Sequence, residues 1–115
     1  MEVNVLKTPQ EKSRGVIGRE PETFDEVFLF SGMYGGDSFH MRGVKGALDF
    51  VFLDKEFGVI SVLRSVVPET GSATTPPNAC YVVEMKAGGV DHYELNEGTP
   101  WVALTNYVLN SRKGE

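Results

Sequence analysis

The chain has 115 residues, the length of one domain with one core. Its 16 acidic residues outnumber 11 Lys and Arg, and the formal net charge of −5 argues against a protein that tracks nucleic-acid phosphates. A lone cysteine, Cys80, excludes an intrachain disulfide framework and thiolate-rich zinc sites, and no apolar run approaches the roughly 20 residues of a membrane span.

Glu2–Leu6 alternates polar and apolar residues with period two, as a half-buried strand does, and carries no basic-then-apolar leader. A cytoplasmic location is therefore expected, or a virion if the gene is a phage's. Thr8-Pro9-Gln10-Glu11 reads as a helix start. Thr8 can accept from the N–H of Glu11, the Glu11 carboxylate can reach back to Thr8, and Pro9 lacks only a donor that the first turn does not need. Gly15, Gly18 and Pro21 keep that helix short.

Val27–Phe30 reads as a buried strand, Gly32–Asp37 as a glycine-rich turn or mobile loop, and Ser38–Arg42 as a second short strand. The glycine stretch lacks the spacing and the following helix of a phosphate loop. Leu48–Leu53 is the strongest strand in the chain, Asp54–Gly58 a hairpin turn, and Val59–Val67 the returning partner that Pro68 ends. Glu69–Asn78 is predicted to be a ten-residue polar loop, long enough to be mobile or functional. Cys80–Met85 reads as a strand, Gly89–Leu95 as one or two helical turns, and Trp101–Leu104 as a last strand. Residues 105–115 are expected to form a fraying tail on a compact domain of residues 1–104.

Strands and helices do not alternate regularly, so a doubly wound parallel sheet is not expected. The predicted class is α+β: a small, mostly antiparallel β-barrel or strongly bent sheet with one or two short helices. Seven Phe and one Trp supply enough apolar surface for a core without disulfide or metal.

Four blocks, in order, resemble the family called domain of unknown function 192. Arg14-Gly15-Val16-Ile17-Gly18-Arg19-Glu20 is similar to its Arg-Gly-Leu-Met-x-Arg-Glu, and Phe39-His40-Met41-Arg42 to its Phe-Trp-Met-Lys. Leu48–Asp54 is similar to its Leu-Asp strand, and Tyr81–Met85 with Ala87-Gly88 to its Val-Leu-Glu-Leu-Pro-Ala-Gly. The chain departs from the pattern where His40 replaces Trp, and where Gly43, Val44 and Ala47 replace Asn, Thr and Pro. The resemblance implies a compact α+β fold around a small barrel and no established activity.

Five residues are candidates for a ligand site or a structural lock: Arg14, Arg19, His40, Asp49 and Glu84. Arg14 and Arg19 can fork onto a carboxylate or phosphate, or pair with Glu20 or backbone carbonyls to pin the helix exit to the sheet. Asp49 and Glu84 interrupt apolar strands, and an acid among such neighbours must be solvated, hydrogen-bonded or paired. Period two puts Asp49 on one face with Val51 and Leu53, with Phe50 and Phe52 on the other. An Asp49–Arg lock is the expected arrangement; the alternative is two inward carboxylates doing acid–base work, one with a raised pKa. His40 and His92 form no close-spaced ligand pair, so no catalytic residue, metal or cofactor is assigned.

Function is read first as a non-enzymatic binding or interaction module of unknown partner, with no nucleic acid and no membrane span. The alternatives are a structural part of a viral or homo-oligomeric assembly, and a small hydrolase using Asp49 and Glu84.

Overall fold

The computed structural model describes residues 1–113. The alternating segment at the start forms β1 (Glu2–Leu6), which runs parallel to β2 (Glu26–Phe30) with Val3 opposite Val27. Between them lies α1 (Pro9–Arg14). Its start is the capping box read from the sequence: Glu11 N donates to Thr8 Oγ1 at 3.1 Å, and Thr8 N donates to Glu11 Oε1 at 2.9 Å. The N–H groups of Thr8 and then Lys7 hold the Glu11 carboxyl below its ordinary range. Gly15 ends the helix at φ +55°, with its α-carbon turned to the Phe30 ring; a Cβ there would lie 3.5 Å from that ring.

β4 (Leu48–Leu53) is buried at all six positions and forms a hairpin with β5 (Val59–Val66). Asp54 Oδ1 fixes the turn by accepting from Glu56 N and Gly58 N, each at 2.8 Å. β7 (Tyr81–Lys86) lies antiparallel to both β2 and β4, completing a five-stranded sheet of order β1-β2-β7-β4-β5. β1 and β5 are its free edges. Of the two expected forms, the structure is therefore the open, bent sheet and not a closed barrel. Every pairing except β1 with β2 is antiparallel.

Both faces of this sheet are covered, which explains why β4 is apolar throughout and does not alternate. On one face Val27, Leu29, Val51, Leu53, Val83 and Met85 pack with Val90, Leu95, Trp101 and Leu104. On the other Phe28, Phe30, Phe50, Phe52 and Val82 pack with Val16, Met41, Val44 and Ala73. The parity expected for Leu48–Leu53 holds: Val51 and Leu53 face one layer, Phe50 and Phe52 the other.

Three segments differ from expectation. Glu69–Asn78 is not a simple loop, because β6 (Ser72–Thr74) pairs with β3 (Ser38–His40) and buries Ala73 and Thr75. The pairing partner is over 30 residues away, and Ser-Ala-Thr has no apolar alternation to announce it. The second short strand ends at His40; Met41 turns into the core instead.

At the C-terminal end, after the short α2 (Gly89–His92), the expected strand Trp101–Leu104 gives way to α3 (Val102–Lys113), which also takes in 105–113 of the expected tail; 114–115 lie outside the described residues. Four residues do not distinguish a strand from a helix. Trp101, Leu104 and Val108 recur at helical spacing and meet the sheet, whereas a strand would have split Trp101 and Leu104 between two faces.

Candidate functional site

Asp49 and Glu84 are the buried carboxylates of the sheet, 1% and 5% exposed. They sit on neighbouring strands, yet Asp49 pairs with Met85 while Glu84 pairs with Phe50 and Phe28. One register step separates them, so by the alternation of a strand they point to opposite faces. The two carboxylates do not converge, so the acid–base pair named as the alternative is not formed.

Asp49 is satisfied by backbone. Its Oδ1 accepts from Ser65 N at 2.8 Å, and its Oδ2 accepts from Gly88 N at 3.1 Å and Val90 N at 3.0 Å. The first contact holds a bulge, where Arg64 and Ser65 of β5 oppose Asp49 alone and Ser65 adopts φ +52°. The other two cap α2, whose own N-cap, Gly88, has no side chain to do so. The expected Asp49–Arg lock is therefore corrected: the partners are three N–H groups, not Arg14 or Arg19. Neither guanidinium reaches that face. Arg14 Nε donates to Ile17 O at 3.4 Å and Arg19 Nε to Gly15 O at 3.2 Å, with Arg19 also 5.4 Å from the centre of the Phe28 ring. These are the backbone-carbonyl contacts considered for the helix exit. Glu20 instead accepts from Lys45 N at 3.3 Å.

Glu84 is the opposite case. Its Oε2 is buried with no hydrogen-bond partner among the described residues. Burial alone pushes its carboxyl up to about 8. At neutral pH the group is thus mainly the neutral acid, a donor as well as an acceptor.

It forms part of the floor of an open cavity of about 190 Å³ beneath α1, with Val16, Phe30 and Val44 beside it. Lys12, Ser13 and Arg14 of α1, with Ser38 and His40 of β3, make the mouth. The Lys12 ammonium is anchored on Ser31 O and Gly32 O at 3.1 and 3.3 Å. Three of the five sequence candidates, Arg14, His40 and Glu84, therefore meet at one cavity. Arg19 sits alongside on Phe28, and Asp49 belongs to the other face.

Lys12, Ser13, Ser38 and Val44 also line it and are not among those candidates; Gly15, Ile17 and Phe39 complete the lining. Lys12 and Ser13 share a helical turn with Arg14, a local signal that was available; Ser38 and Val44 are brought in only by tertiary structure. A second cavity of about 210 Å³, between α3 and the sheet, is lined by Val5, Leu29, Phe57, Tyr81 and Tyr107 among others and holds no acid or histidine. Among the described residues, no cluster of three His, Cys, Asp or Glu is placed to hold a metal ion. No helix there is long and apolar enough to cross a membrane.

The open mixed sheet, covered by two helices on one face and by a short helix and a two-stranded ribbon on the other, defines a small α+β class. The chain belongs to the DUF192 family, described as "Uncharacterized ACR", which it matches over residues 1–101. Two solved structures share the fold. One, from Sinorhizobium meliloti and described as a "putative transcription regulator", superposes with a TM-score of 0.77 at 20% identity, covering 85% of this chain and 78% of that one. The other, a protein of unknown function from Novosphingobium aromaticivorans, has a TM-score of 0.76 at 19% identity, covering 85% and 71%. No curated protein matches the chain. Two positions where this chain departs from the family pattern, His40 and Val44, both line the cavity under α1.

Proposed function

We propose that this chain is a non-enzymatic binding module whose site is the cavity beneath α1. One observation carries the reading: the Glu84 carboxyl lies on the cavity floor with Oε2 unpartnered. A buried polar group without a partner costs about 1–3 kcal/mol. A fold keeps such a group at little benefit to itself, and an open concave site with one convergent polar group is the usual form of a small-molecule pocket. The second carboxylate that a hydrolytic pair would need, Asp49, is on the far face and already accepts three N–H groups. No nucleic-acid role is carried over from the Sinorhizobium protein, since the chain's net charge of −5 opposes phosphate binding.

The test is a fragment mixture titrated against the isotope-labelled protein. Binders should shift the amides of Gly15, Phe39 and Glu84 together. Glu84→Leu should abolish those shifts while leaving the rest of the amide spectrum in place. Fragments that shift only distant amides, or whose binding survives Glu84→Leu, would refute the site.

A further inference from the structure

The chemistry of the cavity walls narrows what it holds. We propose that its ligand is a small organic carboxylate with a short apolar body, its anionic head meeting Glu84 and Arg14; this rests on the cavity being the binding site.

Three observations converge. First, the chain carries more acids than bases, yet the charged side chains lining this cavity are Lys12 and Arg14 with Glu84 as the single acid. A cationic ligand would have to pass both of those cations. Second, the Arg14 guanidinium commits only Nε to a protein acceptor among the described residues, which leaves its paired terminal N–H groups for the two oxygens of a carboxylate. Lys12, by contrast, is held on two carbonyls and serves mainly as fixed positive charge. Third, Glu84 lines this space, is more than nine-tenths buried with one carboxyl oxygen unpartnered, and has Phe28 and Phe50 as its cross-strand neighbours. A neutral carboxylic acid there donates its proton to an incoming anionic oxygen, forming the strong charge-assisted type of hydrogen bond.

The remaining walls, Val16, Phe30, Phe39 and Val44, are apolar and suit a hydrocarbon body. The cavity is also small, about 190 Å³, which suits a short acid.

Protonation makes the class distinguishable. The charged or titratable groups that line the cavity with Glu84 are Lys12 and Arg14 from α1 and His40 from β3. As pH rises past about 8, Glu84 ionises and repels a carboxylate while it would attract an amine.

The experiment uses a matched trio, butyrate, butyramide and butylamine, titrated into the whole chain at about pH 6.5 with the amides of Gly15, Phe39 and Glu84 as readout. Butyrate should bind at least about tenfold more tightly than either partner, and its affinity should fall steadily above about pH 8. Arg14→Ala should weaken butyrate about tenfold, the loss expected for one charge-assisted contact. Glu84→Gln keeps a donor without the titration, so it should retain butyrate within a few-fold and lose the decline above pH 8. If butyramide or butylamine binds as well as butyrate, the cavity remains a site and the carboxylate class is overturned. If none of the three moves those amides at tens of millimolar while fragments of other chemistry do, the class is again overturned. If no compound of either set moves them, the binding site itself falls.

Discussion

Asp49 and Glu84 stand on adjacent strands at nearly equal depth, one residue apart in register, and the sheet treats them in opposite ways. Asp49 faces the layer of α2 and α3, where a bulge and a helix start each leave backbone N–H groups without partners, and the carboxylate gathers three of them. Glu84 faces the layer of α1 and the β3–β6 ribbon, where its cross-strand neighbours are two phenylalanines and no donor meets Oε2. Burial is common to both and so does not explain the difference. What differs is the supply of hydrogen bonds. The first carboxylate is part of the architecture; the second lines the floor of an open cavity with Oε2 unpartnered.

If that contrast is right, the two residues should respond to substitution with opposite signs. The largest effect belongs to Asp49→Ala, which strands one buried N–H group at Val90 and two part-buried ones at Gly88 and the bulge. A loss of about 3 kcal/mol or more on urea unfolding is expected, with Asp49→Asn losing less because its remaining oxygen still accepts. An unchanged urea midpoint for Asp49→Ala would break the comparison at its structural end. Glu84→Leu removes an unpaired polar group from an apolar setting and should raise stability by about 1–2 kcal/mol in the same assay, in keeping with the cost of binding sites to their folds. A loss of similar size would show that Glu84 has a partner after all. Thr8→Ala supplies the small reference effect. Losing the cap of α1, which roofs the cavity, should cost about 1 kcal/mol without altering the sheet, as thermal unfolding would report.

Much of this was legible before any coordinates. The capping box at Thr8 and Glu11 is encoded within four residues, and it formed as read. The parity of Leu48–Leu53 placed Asp49 with Val51 and Leu53, and period two alone is enough for that. The partners of Asp49 were not legible, because they are N–H groups at residues 65, 88 and 90, supplied by a bulge and a helix start that no side-chain motif announces. Arg14 and Arg19 are the nearest cations in the blocks that resemble the family, and charge complementarity is a weaker guide than an unsatisfied backbone. The opposite facing of Glu84 depends on the β4–β7 register, a tertiary fact. Arg14, His40 and Glu84 were each singled out, but their meeting at one cavity required the crossing of α1 over the sheet. α3 is not legible from Trp101–Leu104 alone, because the helical period shows only when Val108 is included.

The central claim, that Glu84 is a buried and unpartnered acid, can be tested on that one group. Its folded value of about 8 lies above the ordinary 4.5, so between those limits the folded chain holds a proton that the unfolded chain releases. The stability this proton contributes is complete below about pH 4.5 and disappears as pH rises through about 8, a fall of several kcal/mol that Glu84→Gln should flatten. The direct measurement is a carbon-13 NMR titration of the Glu84 side-chain carboxyl in the folded protein. A midpoint near 8 is the expected result. A midpoint near 4.5, among the exposed glutamates, would show that water or a hidden donor reaches Oε2, and would contradict the account.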